Sequence, residues 1–292
     1  MSASAAPSTT PGRVTLELLA AKHERGEPIV MITGYDVAAA QMAEAAGVDL
    51  VLVGDTAAET VLGYPSTTQV SLEEMLALTA AVRRGLRSPL LVGDLPFGTY
   101  ESSDEQAVRT AQRFVKEASA DVVKLERGGT SASRAAAIVA SGIPVMGHLG
   151  VTPQTDVTLG GRRAQGRTAE KAGRLLQDAL ALQRAGCFAL VLEAVAAPVA
   201  SLITNKLQIP TIGIGAGAQT SGQVLVWHDL LGLYDWRPRF ARAFAELRPT
   251  ITEALGQYAT EVRARSFPSD EHAYTIPADE LNRLLASSDS DG

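Results

Sequence analysis

Four short apolar runs of the sequence each end in ionisable side chains that could do chemistry. VLVGD ends on Asp55, LLVGD on Asp94, VVKLE on Lys124 and Glu126, and LVLE on Glu193. Nearly continuous apolar runs of this length are typical of strands that are buried on both faces. A buried charge is unfavourable unless it is paired or binds a cation. Because all four runs share this feature at the same end, we expect the five side chains to form one polar site.

The two Val-Gly-Asp sequences predict a pair of carboxylates, Asp55 and Asp94, on neighbouring strands. At a strand spacing of roughly 5 Å, the two charges would repel each other unless a proton or a cation lies between them. Oxygen ligands without a cluster of Cys or His favour Mg2+, which takes one or two carboxylates and keeps positions for substrate and water. Glu126 would add a third oxygen donor, directly or through water. For either aspartate alone, a helix cap or a salt bridge is the alternative.

Three further side chains suggest roles beside the metal. Lys124 alternates with Glu126 and so faces the same side of its strand, where it could offset carboxylate charge or polarise a substrate carbonyl. Glu193 is a partly desolvated carboxylate, which suits a general base. His148, at the end of PVMGH, could hydrogen-bond a substrate or a ligand carboxylate. The alternatives are a structural ion pair for Lys124 and purely structural roles for Glu193 and His148.

Strands and helices alternate along most of the chain. Apolar runs predict strands at 28–33, 49–55, 89–95, 121–126, 144–150, 188–195, 210–217 and 222–229. Amphipathic segments predict helices at 14–25, 36–46, 71–85, 103–118, 131–141, 169–185 and 197–207, with one or two more in 237–265. Eight such units favour an α/β fold of the (β/α)8 TIM barrel type, whose active site collects residues from the C-terminal ends of several strands. A doubly wound open sheet is the alternative, but it would concentrate the charged residues at one switch point.

Composition at the two ends predicts the domain boundaries. Residues 1–12 are small, polar and proline-containing, which is typical of a disordered N-terminal tail. Residues 13–274 would form a single (β/α)8 barrel domain with N-terminal and C-terminal helices, and 275–292 a C-terminal tail, acidic and disordered from 279. The long polar segment 152–168 follows the fifth strand and is interpreted as a lid over the site or as a solvated connection.

Composition also restricts the partners and the compartment. The 292-residue chain has a formal net charge of -6 and no block of Lys or Arg, which argues against nucleic acid or an anionic membrane as partner. The single cysteine, Cys187, excludes an intramolecular disulfide, and its apolar setting predicts a buried thiol in a reducing compartment. No apolar run reaches the length of a membrane span. We therefore expect a cytoplasmic protein that acts on a small molecule.

Ordered motifs over residues 28–274 resemble those of one enzyme family. They are TGYD (33–36), VGDT (53–56), RRG (83–85), DLPFGTY (94–100), VKLE (123–126), PVMGHLGVTPQ (144–154), LGG with QGR (159–167), LEAV (192–195), IPTIGIGAG (209–217), GQVLVWHD (222–229) and FPSDEHAY (267–274). Together they make the sequence similar to the ketopantoate hydroxymethyltransferase family. The resemblance implies a Mg2+-dependent TIM barrel of the phosphoenolpyruvate mutase/isocitrate lyase-like type, and an assembly that is usually a homodecamer.

The resemblance also implies an activity and a set of site residues. Family members transfer a hydroxymethyl group from 5,10-methylenetetrahydrofolate to 3-methyl-2-oxobutanoate through a Mg-stabilised enolate, giving 2-dehydropantoate for pantothenate and coenzyme A biosynthesis. The implied metal site consists of Asp55, Asp94 and Glu126. The implied contacts to the 2-oxo acid come from Asp55, Thr56, Asp94 and Lys124. Glu193 would be the proton acceptor.

Three positions depart from the family pattern. Thr56 stands where Ser is usual, Pro65 stands where Asp is usual, and Arg127 replaces the first of two glycines after Glu126. These changes concern the substrate more than the reaction, because Arg127 could pair with an extra carboxylate. A paralogue acting on a different 2-oxo acid is therefore one alternative. A Mg-dependent lyase or carboligase of the related barrel group and a non-catalytic binding barrel are the others.

Overall fold

A closed barrel of eight parallel strands organises the chain. The structure, a computed structural model, describes residues 12–155, 161 and 163–288. The strands are β1 Ile29–Thr33, β2 Leu50–Val53, β3 Leu90–Asp94, β4 Val122–Glu126, β5 Val145–Gly150, β6 Ala189–Glu193, β7 Thr211–Ile214 and β8 Gly222–Leu225. Each strand pairs with the next in sequence and β8 pairs with β1, so the sheet has no edge. The predicted (β/α)8 barrel is confirmed, and the open sheet is excluded.

Helices alternate with the strands and continue after the last one. In chain order they are α1 Leu16–Glu24, α2 Val37–Ala45, α3 Ala57–Thr60, α4 Leu72–Gly85, α5 Asp104–Ala118, α6 Ser131–Ala140, α7 Ala169–Arg184, α8 Ala197–Lys206, α9 Trp227–Leu230, α10 Leu247–Arg263 and α11 Ala278–Ser288. Three-residue 3-10 helices lie at Thr67–Gln69, Pro153–Thr155 and Asp270–His272. The predicted helices between residues 14 and 207 agree with these bounds to within two residues.

Side chains alternate between the two faces of each strand, and this alternation produces two separate apolar cores. On β3, Leu90 and Val92 belong to one cluster of buried residues, which fills the barrel interior. Leu91, between them, belongs to a second and larger cluster, where the outer faces of the strands pack against the helices. Side chains of successive strand residues point to opposite faces, so an apolar run with no polar position is what a strand buried on both faces requires.

Helix α5 packs tightly against the strand that ends on Asp94. Its buried stripe consists of Ala107, Thr110, Ala111, Phe114 and Ala118. Gly93 faces this stripe, and a β-carbon added at Gly93 would lie 2.4 Å from Cδ1 of Phe114. The close approach of helix and strand therefore requires glycine at this position, one residue before a predicted metal ligand.

Two segments of the C-terminal part differ from their predictions. Strand β8 ends at Leu225 and not at 229, because Trp227–Leu230 forms a short helix. The backbone N–H of Trp227 donates to Oγ1 of Thr33 at 2.8 Å, and this bond holds the start of the helix at the end of β1. The helical segment predicted to start at 237 begins only at Leu247.

The predicted disordered tail from 279 is wrong as far as Ser288. This segment is part of a helix, α11, with two acidic residues in its first turn and leucines at helical spacing further on. Acidic side chains in a first turn stabilise a helix by interacting with its dipole. Of the predicted N-terminal tail, residues 1–11 lie outside the described residues.

The chain divides into two compact units. The first contains the barrel, runs to Leu230 and includes Trp236–Ala243; the second consists of Leu231–Asp235 and the chain from Phe244 onward. Within the second unit, the N–H of Leu247 donates to the carbonyl of Leu231 at 3.0 Å. The predicted end of the barrel domain at residue 274 stays a prediction. In the part of the chain that the structure describes, no helix is long and apolar enough to cross a membrane.

We expect opposite effects of alanine at two glycines. Gly93→Ala should lower the melting temperature, because its β-carbon would overlap Phe114 and overpacking of a core costs about 1–3 kcal/mol. Gly173 lies within α7, where an added β-carbon meets nothing within 4 Å. Gly173→Ala should therefore raise stability by up to about 1 kcal/mol. Thermal unfolding followed by circular dichroism measures both, and a Gly93→Ala variant as stable as the wild type would contradict the packing described.

Candidate active site

On strands β3 to β6, the interior positions are apolar at the start of the strand and polar at its end. On β3, Asp94 occupies the interior position that follows Leu90 and Val92. The same period of two places further polar residues at this end of the barrel, namely Lys124 and Glu126 on β4, His148 on β5 and Glu193 on β6. Asp94, Lys124, Glu126 and His148 are each at most 3% exposed. The predicted site residues of β3 to β6 therefore do converge at the C-terminal end of the barrel.

Asp94 and Lys124 form a buried ion pair on neighbouring strands. They are register partners, and Nζ of Lys124 lies 2.8 Å from Oδ1 of Asp94 and 3.7 Å from Oε1 of Glu126. Oδ2 of Asp94 accepts a hydrogen bond from the N–H of Asp55 at 3.0 Å. The ammonium of Lys124 is thus the ionic partner of Oδ1. A carboxylate oxygen has a second lone pair, so this buried atom can still accept a further positive partner.

Asp55 reaches the cluster through a turn. Val51 and Val53 belong to the outer core, so an extended continuation of β2 would direct Asp55 outward as well. Strand β2 instead ends at Val53, and the turn that follows brings the backbone of Asp55 to Asp94. Asp55 is 2% exposed there, and its Oδ2 accepts a hydrogen bond from Nε2 of Gln154 at 3.0 Å.

A line of three side chains leads from the cluster to Glu193. Glu126 and His148 are register partners on β4 and β5, and Nδ1 of His148 lies 3.1 Å from Oε1 of Glu126. Nε2 of His148 lies 3.4 Å from Oε2 of Glu193. The Glu193 side chain is 20% exposed, in contrast to 1% for Glu126. His148 therefore connects a fully buried carboxylate with one that a ligand entering from the barrel mouth can reach.

Gln154 connects three parts of the cluster, although the sequence analysis gave it no role. Its Nε2 donates to Asp55 and also to the carbonyl of Leu95 at 2.9 Å, and its Oε1 accepts the O–H of Tyr100 at 2.6 Å. Its backbone N–H donates to Oε2 of Glu126 at 3.1 Å. Both Gln154 and Tyr100 lie in motifs of the family pattern, which was the only signal for them. Their partners depend on how the loops return over the barrel, which strand periodicity does not predict.

Burial and like charges shift the pKa values of the cluster. The pKa of Asp55 lies well above its usual range, because burial disfavours the charged form and the charges of Asp94 and Glu126 add to this effect. Burial also raises the pKa of Asp94, although Lys124 opposes the shift. Burial lowers the pKa of Lys124, but the three carboxylates outweigh it and the net shift is upward. Asp55 is therefore the carboxylate that most lacks a positive partner.

The donors of the cluster fit a hard divalent cation held by two carboxylates. Among the described residues, no three His, Cys, Asp or Glu side chains form a metal site on their own. Both oxygens of Glu126 have partners, His148 and the N–H of Gln154, and the direct donors would be Asp55 and Asp94, of which Asp94 would share its charge with Lys124. Mg2+ is commonly bound through one or two carboxylates, with water and substrate completing its shell. A cation beside Oδ1 of Asp94 would also offset the unpaired charge of Asp55.

The remaining predicted positions lie outside the buried cluster. Thr56 directly follows Asp55, is half-buried, and does not use its side chain to cap α3. Arg127 and Pro65 are exposed. Of the segment 152–168, residues 156–160 and 162 lie outside the described residues, so its interpretation as a lid stays a prediction.

Solved structures with the same fold define the class of this barrel. A phosphonopyruvate hydrolase in complex with oxalate and Mg++ matches with a TM-score of 0.58 at 11% identity, covering 94% of this chain and 96% of that chain. A 2,3-dimethylmalate lyase, described as a PEP mutase/isocitrate lyase superfamily member, matches with a TM-score of 0.54 at 15% identity, covering 96% and 97%. The fold is a TIM barrel, as predicted, and the solved structures that share it include a member of the PEP mutase/isocitrate lyase superfamily.

Comparison of the sequence identifies a narrower group of proteins than comparison of the fold does. The family model for ketopantoate hydroxymethyltransferase matches residues 13–270. The 3-methyl-2-oxobutanoate hydroxymethyltransferase of Chloroflexus aurantiacus is 52% identical over 278 residues, which cover 95% of this chain and 98% of that protein. The chain therefore belongs to the ketopantoate hydroxymethyltransferase family, a family of enzymes, and the resemblance stated from its motifs is confirmed.

The shifted pKa of His148 predicts a pH-dependent contribution to folding. Burial and the charge of Lys124 lower this pKa, but the hydrogen bond that the ring makes to the charged Glu126 and its contact with Glu193 outweigh them and raise it to about 9. An unfolded His has a pKa of about 6.5. The charged ring therefore stabilises the fold fully below pH ~6.5, and this contribution is lost as the pH rises through about 9.

The difference in stability between the wild type and His148→Gln should accordingly become smaller as the pH increases. We expect the difference in free energy of unfolding to shrink by up to about 3 kcal/mol between pH 6 and pH 9.5. Urea unfolding at each pH, in the presence of EDTA, measures it. His272→Gln removes an exposed imidazole and is the control. A difference that is constant with pH, or that grows, would contradict the charged state assigned to His148.

Proposed function

We propose that this chain transfers a hydroxymethyl group from 5,10-methylenetetrahydrofolate to 3-methyl-2-oxobutanoate, giving 2-dehydropantoate for pantothenate and coenzyme A biosynthesis. Membership of the family and the relative named for this reaction support the proposal. The observation that carries it is the buried cluster of acids at the barrel end, with a more accessible carboxylate one imidazole away. This arrangement suits the removal of a proton next to a carbonyl group.

Asp55 and Asp94 would hold Mg2+, with Glu126 acting on it through water. The bound cation would supply Lewis-acid polarisation of the 2-oxo group of the substrate. Oxalate offers two adjacent oxygens, as a 2-oxo acid does, and a barrel of the same fold contains oxalate together with Mg++. The ammonium of Lys124 and the hydroxyl of Thr56 would contact the acid, since Thr56 makes no capping bond and Lys124 lies beside Asp94.

Glu193 would accept the proton from C3 of the acid. The electron pair left at C3 delocalises onto the 2-oxo oxygen, and C3 then forms a bond to the one-carbon unit of the folate. That carbon gives up both of its bonds to folate nitrogens and gains one to C3 and one to the oxygen of water, while the proton taken from C3 and one proton of that water end on the two nitrogens. The imidazole of His148, whose Nε2 lies 3.4 Å from Oε2 of Glu193, would orient this carboxylate for the first step.

The alternatives have less support. Of the three positions that motivated a different 2-oxo acid, Pro65 and Arg127 are exposed and only Thr56 adjoins the buried cluster. A lyase of the related group would use a loop cysteine, whereas Cys187 is buried directly before β6 and burial raises the pKa of its thiol to about 12. The homodecamer stays a prediction.

Glu193→Gln should abolish proton exchange at C3 of the substrate. In D2O with Mg2+ and 3-methyl-2-oxobutanoate but no folate, NMR should show loss of the C3 proton signal with the wild type. The variant should be at least about 100-fold slower, because a positioned base contributes a factor of this order. EDTA should have a similar effect on the wild type.

Glu170→Gln, which removes an exposed carboxylate on α7, is the matched control and should exchange at the wild-type rate. Exchange by Glu193→Gln at the wild-type rate would contradict the role of Glu193. Exchange with another 2-oxo acid but not with this one would favour the paralogue.

A further inference from the structure

A cavity of about 530 Å³ opens beside the buried cluster. Its walls come from the loop after β4, from the end of β5 and the loop that follows, and from the first turns of α7. This volume lies within the usual range for sites that bind drug-sized ligands. It greatly exceeds what a five-carbon acid needs, and the proposed contacts of that acid lie in the barrel interior.

The cavity concentrates positive charge on an acidic chain. Three cationic side chains, Arg127, Lys171 and Arg174, line it together with one carboxylate, Asp178. Asp178 accepts a hydrogen bond from the N–H of Gly129 at 3.4 Å, and Arg174 pairs with the exposed Glu170. Within the described residues, the ion pairs include none from Arg127 or Lys171. Since the whole chain carries a net charge of -6, this local excess of cations indicates a site for an anionic ligand.

Arg127 occupies a backbone conformation that disfavours its side chain. Its φ is 79°, in the left-handed region that glycine adopts readily and other residues rarely do. Its N–H donates to the carbonyl of His148 at 2.9 Å, which joins this residue to the end of β5. Strain of this kind persists where the surroundings impose it and is common in ligand sites. Arg127 is therefore less favourable at this position than glycine would be, and a role of its guanidinium in anion binding would explain why arginine is found there.

The cavity begins next to the predicted base. Gly150 lines it and is the register partner of Glu193. A β-carbon at Gly150 would lie 2.1 Å from the carbonyl oxygen of Glu193, so the two backbones are in direct contact. The cavity wall therefore meets the backbone of the strand that carries Glu193, so a ligand bound in the cavity lies close to the end of the barrel where the predicted base is found.

We propose that this cavity binds the glutamate carboxylates of the folate co-substrate, and that Arg127 and Lys171 form its anion contacts. The proposal rests on the proposed function, because it assigns one end of that reaction's co-substrate. The pteridine end carries the one-carbon unit and must approach C3 of the acid near Glu193. The glutamate end carries the negative charge and needs cations at a distance from the reacting carbon, as the cavity provides.

Binding of tetrahydrofolate with one or with five glutamates tests this proposal. Isothermal titration calorimetry of the Mg2+-loaded protein should give an affinity at least about tenfold higher for the pentaglutamate, since each added carboxylate can pair with a cation. Arg127→Gly and Lys171→Gln should each reduce the affinity for the pentaglutamate by about fivefold and the affinity for the monoglutamate less. Arg127→Gly also relieves the left-handed strain, so melting temperatures should exclude unfolding as the cause.

Arg109→Gln is the control, because Arg109 is an exposed cation on α5 that pairs with Glu105 outside the cavity. It should bind both compounds as the wild type does. Equal affinities for the two folates, an unchanged pentaglutamate affinity in Arg127→Gly, or equally strong competition by inorganic phosphate would each overturn the proposal. Product formed from the monoglutamate donor reports separately on the transfer reaction. If only the cavity assignment is wrong, 2-dehydropantoate is still formed from the monoglutamate donor. If the proposed function is wrong, no 2-dehydropantoate is formed from either the monoglutamate or the pentaglutamate donor.

Discussion

The accumulation of carboxylates inside an apolar barrel is the constraint on which the rest of the site depends. Asp55, Asp94 and Glu126 are each at most 2% exposed, and burial together with the charges of Asp94 and Glu126 raises the pKa of Asp55. Lys124 and His148 compensate part of this charge through contacts of 2.8 Å and 3.1 Å. Like charges in a low-dielectric interior remain unfavourable unless a proton or a cation joins them. The proposed divalent cation would relieve this repulsion, and it would also supply the activation that the proposed reaction of a 2-oxo acid needs.

The barrel produces this arrangement by simple geometry. Parallel strands all end at one rim, and the period of two assigns alternate residues to the interior. Asp94 and Lys124 are consequently neighbours in register, and so are Glu126 and His148. Apolar residues occupy the interior positions below them and exclude water, which strengthens every contact above. The loops then complete the site, since Gln154 arrives from the loop after β5 and donates both to Asp55 and to Glu126.

The sequence predicted most of the fold and the inward-facing part of the site for the same reason. Apolar runs and their charged ends are local features, and the strand period converts them directly into positions. Asp55 was predicted correctly as part of the cluster, but for a different reason, because a turn after Val53 and not the strand itself directs it inward. The roles of Gln154 and Tyr100 were not predicted. These residues are 54 positions apart in the sequence, and their hydrogen bond depends on the path of the loops, which the strand pattern does not give. The helix at 278–288 was missed because its small and acidic residues resemble those of a disordered tail.

Binding of a divalent cation to the two aspartates tests this account most directly, and it does not depend on turnover. Titration with Mn2+, followed by electron paramagnetic resonance, should show one site per wild-type chain from which Mg2+ displaces the probe. Asp55→Asn and Asp94→Asn should each weaken the binding by about tenfold or more, because each removes a charged donor. Mn2+ affinities in both variants equal to that of the wild type would contradict the account, as would a wild-type chain that binds no Mn2+.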